Sequence, residues 1–144
     1  MSSELRVGDI MTKKVVVVPF GESIIEVAKL MKKHDIGSII VVENDEKMHA
    51  KGIITERDIV HKLLVRGKDM ASVKVEDAMS KPLRVVTTDA SLEHAAKAMK
   101  ENNIKRLGVL NDKHEFVGII SEGDIMRIFP AIVDLLEERM ALSR

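Results

Sequence analysis

The sequence predicts an α+β fold of two β-α-β-β-α units, packed as a pseudo-twofold pair through their sheets. Three observations predict it. Val7-Gly8-Asp9-Ile10-Met11-Thr12-Lys13 returns as Val75-Glu76-Asp77-Ala78-Met79-Ser80-Lys81, and about a third of the positions up to Glu43 recur at that offset. After a two-residue deletion in a turn, Gly52-Ile53-Ile54-Thr55-Glu56-Arg57-Asp58-Ile59 returns as Gly118-Ile119-Ile120-Ser121-Glu122-Gly123-Asp124-Ile125. Finally, one unit of two or three strands and two helices cannot close its own core, whereas two copies stacked on their apolar sheet faces can. The repeat divides the chain into residues 1–68, residues 69–129 and a C-terminal helix over 130–144.

Each element follows from local pattern. Short β-branched or aliphatic runs at 15–18 and 83–86 read as the first strands. Ser23-Ile24-Ile25-Glu26 has the form of a capping box, and Ile24, Val27, Ala28, Leu30 and Met31 follow at helical spacing. Ser91, Leu92, Ala95, Ala96 and Met99 repeat the arrangement. Apolar strands at 39–42 and 107–110 lead through polar turns (43–47 and 111–115) into strands at 51–54 and 116–120, a hairpin in each copy. Thr55 and Ser121 then stand where helix N-caps belong, opening helices over 56–65 and 122–129. Pro130 ends the last of these, and Ile132, Val133, Leu135, Leu136 and Met140 outline the terminal amphipathic helix. Most of the aliphatic and methionine stripes are plain core.

Composition narrows the function. Lys plus Arg and Asp plus Glu each number 23, a balance that disfavours general nucleic-acid or membrane-surface binding. The absence of Cys removes disulfides and thiolate metal sites. No apolar run reaches the roughly 18 residues of a membrane span, and the start lacks a signal-peptide core, so a cytoplasmic location is expected. With three Phe and neither Tyr nor Trp, a planar ligand must be held by aliphatic side chains and backbone. His34, His49, His61, His94 and His114 show no metal-ligand spacing. No nucleophile elbow or Walker-type loop occurs, so an enzyme is not expected. The Asp58–His61 pair, one helical turn apart, reads as surface electrostatics.

The chemistry sits in the doubled Gly-Ile-Ile-Thr/Ser-x-x-Asp pattern. A strand running into a helix leaves free N–H groups and the positive dipole end at the loop, which suits a phosphorylated nucleoside. The Thr55 and Ser121 hydroxyls add donors, while Asp58 and Asp124 can accept from two vicinal ribose hydroxyls. The plainer alternative, ordinary N-caps with dipole-favoured acids, stays open on spacing alone. Arg57, Lys105 and Arg106 are the cationic candidates for phosphate, although on spacing alone solvated surface charge is the plainer account of them. Copy one has Gly37-Ser38 where copy two has Lys105-Arg106, and Gly123 stands opposite Arg57, so the two sites are not equivalent.

Taken in order, Val7-x-Asp-Ile-Met11, Ile36-Gly-Ser-Ile-Ile-Val-Val42, Val75-x-Asp-Ala-Met79, Ile104-Lys-Arg-Leu-Gly-Val109 and the two Gly-to-Asp motifs resemble the CBS domain. The chain from about Leu5 to Phe129 looks like one CBS pair, or Bateman module. That resemblance implies two clefts that bind adenosyl ligands, with AMP first among AMP, ADP, ATP and S-adenosylmethionine, and no required cofactor. Carried over by position, the first cleft would use Thr55 and Asp58, with Ile53 and the backbone near Arg84 for adenine and Lys105 with Arg106 for phosphates. The second would use Ser121, Asp124, Ile119, the backbone near Val16, and Gly37 with Ser38, and Arg57 could reach phosphate there. The missing basic residue at Gly37-Ser38 implies a less charged ligand, or none, in the second cleft.

The resemblance also implies a homodimer through the helices, and output through an unidentified effector protein. The competing expectations are a ligand-free dimerisation scaffold and a sensor of S-adenosylmethionine or NAD.

Overall fold

The computed structural model describes residues 5–44, 49–128 and 138. In chain order the elements are α1 (Val7–Ile10), β1 (Val17–Pro19), α2 (Ile24–His34), β2 (Ser38–Val42), β3 (Ala50–Thr55) and α3 (Glu56–Asp58), which continues as a π-helical segment over Ile59–Leu64. They are followed by α4 (Val75–Ala78), β4 (Val85–Thr87), α5 (Leu92–Glu101), β5 (Arg106–Leu110), β6 (Phe116–Ser121) and α6 (Glu122–Met126). Each copy thus has the expected β-α-β-β-α order. The chain separates into two compact units, residues 14–84 and residues 1–13 with 85–144.

In the unit 14–84 the sheet order is β1-β2-β3, with β1 parallel to β2 (Val17↔Ile40) and β2 antiparallel to β3 (Ile39↔Ile54). Helix α2 carries the crossover that a parallel pair requires. Its Ile24, Val27 and Met31, spaced to share a face, are buried against Val18, Ile39, Val41 and Ile54. Ser23 caps α2 by accepting from the Glu26 N–H (3.3 Å), and Asp35 ends it in the left-handed region (φ 53°), which short polar side chains tolerate.

The second unit repeats the plan as β4-β5-β6, with Val85↔Gly108 parallel and Leu107↔Ile120 antiparallel. Ala95 and Met99 of α5 close its core on Val86, Leu107, Val109 and Ile120. Both hairpins shift register at the same place, between Val41 and Val42 and between Val109 and Leu110.

The unit boundaries cut across the repeats. Helix α1, at the start of copy one, packs on the sheet of copy two: Val7 joins its core, and the Val7 N–H donates to Ala90 O (2.9 Å). Thr12 and Ile119 exchange backbone hydrogen bonds of 2.8 and 3.0 Å. Helix α4, at the start of copy two, does the same for copy one: Val75, Ala78 and Met79 join that core, and Ser80 and Ile53 exchange bonds of 2.8 and 3.0 Å. The motif glycines follow from this. A Cβ on Gly52 would lie 2.7 Å from Ser80 O and 2.8 Å from Met79 Sδ, and one on Gly118 would lie 2.7 Å from Thr12 O and 3.0 Å from Met11 Sδ. The Met of one motif thus occupies the space that the Gly of the other leaves.

Several element boundaries differ from those expected from sequence. Strands β1 and β4 begin at Val17 and Val85, two residues later than expected, although Val16 O still accepts from the Ile40 N–H (3.2 Å). The helix after Thr55 widens from Ile59, with Val65 N–H donating to Val60 O (3.0 Å) in the i→i−5 pattern. Its counterpart ends as a regular helix at Met126. Phe129, Pro130 and all of the expected helix 130–144 except Glu138 lie outside the described residues. No described helix is long and apolar enough to cross a membrane.

Candidate functional site

The doubled motif forms two near-identical turns. Where β3 meets α3, the Thr55 backbone is extended (φ −119°, ψ 162°), and its hydroxyl accepts from the Asp58 N–H at 3.1 Å. Asp58 replies with Oδ2, accepting from the Thr55 N–H at 3.0 Å. Where β6 meets α6, Ser121 (φ −118°, ψ 163°) and Asp124 make the same two bonds, at 3.1 and 2.9 Å. These are reciprocal capping boxes with Asp in the third helical position. The expectation of N-caps is met, and one oxygen of each carboxylate is committed to the cap.

Both aspartates are buried, at 8% and 5% relative exposure, and burial of an ionised carboxylate is tolerable only when its oxygens find donors. The donors at Oδ1 distinguish the copies. In copy one, Ser80 Oγ donates to Asp58 Oδ1 (3.0 Å), and Lys62 Nζ reaches the same oxygen (3.0 Å) while also bonding Ala78 O (3.1 Å) and Ser80 Oγ (3.3 Å). In copy two, Asp124 Oδ1 meets one guanidinium nitrogen of Arg127 at 3.2 Å, from a side chain that is 76% exposed. Thr12, the counterpart of Ser80, makes no side-chain hydrogen bond to Asp124. Ile128 stands opposite Lys62 in the motif register.

The basic side chain that reaches Asp58 is Lys62, not the His61 that sequence spacing singles out. The signal was present: i, i+4 spacing from an acid to a lysine, with no matching cation at Ile128.

The remaining expected residues divide between the units. With Thr55 and Asp58 go Gly37 and Ser38: Ser38 pairs with Thr55 across the sheet, and Gly37 O accepts from the Glu56 N–H (3.0 Å). With Ser121 and Asp124 go Lys105 and Arg106 by the same register: Arg106 pairs with Ser121, and Lys105 O accepts from the Glu122 N–H (2.8 Å). Each basic or small pair thus flanks the capping turn of its own copy. Ile53 and Ile119 spend their main-chain groups on Ser80 and Thr12, so their half-buried side chains are what they can offer a planar base. Arg57 and Arg84 are exposed, as is Gly123, where a Cβ would meet only Ser121 Oγ at an ordinary 3.6 Å. Gly123 is therefore not required by the backbone, and the Arg57/Gly123 difference is one of side-chain chemistry.

A protein-family model for the CBS domain matches residues 7–65 and again 75–131. The chain belongs to the CBS domain family. It is 36% identical over 134 residues to the uncharacterized protein MK0525 of Methanopyrus kandleri, covering 93% of this chain and 67% of that one. Among solved structures it resembles the CBS domain pair of protein MJ0100 in complex with 5′-methylthioadenosine and S-adenosyl-L-methionine. That match has a TM-score of 0.77 and 32% identity, and covers 89% of this chain and 98% of the other. It also resembles hypoxic response protein I with two coordinated zinc ions (TM-score 0.70, 32% identity, covering 85% and 97%). In the present chain no group of three or more His, Asp or Glu among the described residues is arranged to hold a metal. CBS pairs are regulatory ligand-binding modules, and this chain carries both repeats of one.

Proposed function

We propose that this protein senses adenosine-containing small molecules, binding the ribose through the Thr55–Asp58 and Ser121–Asp124 turns, and transmits its occupancy to a partner protein. The observation that supports it most is the pair of buried aspartates, each fixed by one oxygen and presenting the other to polar side chains. A carboxylate so held keeps acceptor capacity at a defined position, as recognition of a vicinal diol requires. Lys105 and Arg106, carried over by position to the phosphates of the first cleft, suit a ligand with phosphate, AMP in particular. The complex of MJ0100 with methylthioadenosine and S-adenosylmethionine supports a second, S-adenosyl reading of the same turns. Nothing in the reading requires catalysis by this chain.

The module is expected to work as a homodimer. Val60, Leu64 and Val65 expose 42%, 62% and 74% of their surface along one helical segment, beside a groove of about 460 Å³ lined in part by Met31, Ile36 and Ile59.

A thermal-shift panel with AMP, ADP, ATP, S-adenosylmethionine and NAD tests the reading. Ligand at a hundred times its Kd adds about 2.7 kcal/mol, a rise of several degrees. The rise should shrink in Asp58→Ala or Asp124→Ala. A panel with no shift from any adenosyl ligand, on a protein that is dimeric in solution, makes it a scaffold instead.

A further inference from the structure

We infer that Lys62 is a built-in gate on the sugar site of the first copy, so that the two copies take an adenosyl ligand at different concentrations and the second copy fills first. This rests on the proposed ribose-binding role of the two turns and adds a difference between them.

A carboxylate offers about four lone-pair sites to donors. Asp58 has three filled from within its own unit, by the Thr55 N–H, the Ser80 hydroxyl and the Lys62 ammonium. One remains, and a vicinal diol brings two donors. The diol therefore has to displace Ser80 or Lys62.

Lys62, 43% exposed along its side chain, is held by more contacts than Arg127. An ammonium has three donors, and here they are matched by three acceptors: Asp58 Oδ1, Ala78 O and Ser80 Oγ, at 3.0, 3.1 and 3.3 Å. Asp124 has two sites filled, one by the Ser121 N–H and one by Arg127. Arg127 holds that oxygen by a single contact from a side chain that is 76% exposed, and it can swing into water at little cost. The second copy opens to a diol by the swing of that one exposed side chain, whereas the first must break the contacts of Lys62 or Ser80. Opening also frees Ala78 O at the end of α4 and Ser80 Oγ just beyond it, so occupancy of the first copy is coupled to the segment 78–80 that packs on β3.

Calorimetric titration with 5′-methylthioadenosine, which carries the ribose diol and no phosphate, isolates the sugar contact. In the otherwise natural protein the tighter binding event should survive Asp58→Ala and vanish in Asp124→Ala. On the Asp124→Ala background, Lys62→Met should tighten the remaining event by about tenfold, the factor carried by one hydrogen bond to a charged group. Adding Asp58→Ala should then abolish it. Ser80→Ala on the same background provides a second opening of the gate, should Lys62→Met fail to fold. Binding on that background no tighter with the gate opened than with it intact overturns the gate and leaves the sensing role standing. So does a wild-type tight event that depends on Asp58. Absence of heat with every variant, and with AMP and S-adenosylmethionine as well, overturns the sensing role and the gate together.

Discussion

The two capping turns share backbone angles and capping bonds almost to the last tenth of an ångström, yet their carboxylates live in different company. In copy one the second oxygen of Asp58 is locked by a lysine and a serine that also hold α4 in place. In copy two the second oxygen of Asp124 is met by one exposed arginine. Duplication preserved what the backbone requires, the Gly, the hydroxyl cap and the Asp. It left free to diverge what surrounds the remaining lone pairs, and that is where function can differ between copies.

The strongest test of the shared part is the glycine pair. Gly52→Ala and Gly118→Ala should each cost about 1–3 kcal/mol, because the new methyl meets a backbone carbonyl 2.7 Å away that cannot yield like a flexible side chain. Matching losses in thermal melts would sharpen the equivalence of the two frameworks; a tolerated substitution in one copy would break it.

Next come the carboxylates. Asp58→Ala should destabilise by about 2 kcal/mol, since it removes a cap and leaves Ser80 and Lys62 without their acceptor. Asp124→Ala should cost about 1 kcal/mol, the cap alone, because Arg127 returns to water. Equal losses in denaturant titrations would contradict the asymmetry.

Smaller still, Lys62→Met should lower stability by up to about 1 kcal/mol, and Arg127→Met should stay within about 0.5 kcal/mol.

The least effect concerns two exposed aspartates outside the turns. The Ser72 hydroxyl, helped by the Ala71 N–H, holds the Asp69 carboxyl below its usual 3.8, and the Thr87 hydroxyl does the same for Asp89. Both favour the ionised form. Their contribution is therefore present above the unfolded value near 3.8 and fades as pH falls through the lower folded values. Carboxyl chemical shifts in Thr87→Val should show the Asp89 midpoint moving up and that of Asp69 unmoved.

What was readable in the sequence was what is local. Ser23, Ser91, Thr55 and Ser121 are caps because a short hydroxyl precedes a helical run, and each does accept the expected N–H. The strand pairs followed from aliphatic runs with turns between them. What stayed hidden depended on distant partners. Helices α1 and α4 are single turns, too short to show a period, and nothing in their residues says that each packs on the other copy's sheet. The division at residues 14–84 was invisible for the same reason. In sequence nothing separates Lys62 from a solvated lysine except its spacing from Asp58, because two of its three acceptors lie beyond the next loop, at Ala78 and Ser80. The i, i+4 spacing from Asp58, read together with the comparison of Lys62 against Ile128, is the route to it.

The most direct test of the account is a titration of ¹⁵N-labelled protein with 5′-methylthioadenosine, following the amides of Ser121, Asp124, Thr55 and Asp58. The account predicts that the Ser121 and Asp124 signals move first and saturate first, with Thr55 and Asp58 following at higher concentration. Movement at Thr55 and Asp58 first, or four stationary signals while the ligand binds elsewhere, would contradict it.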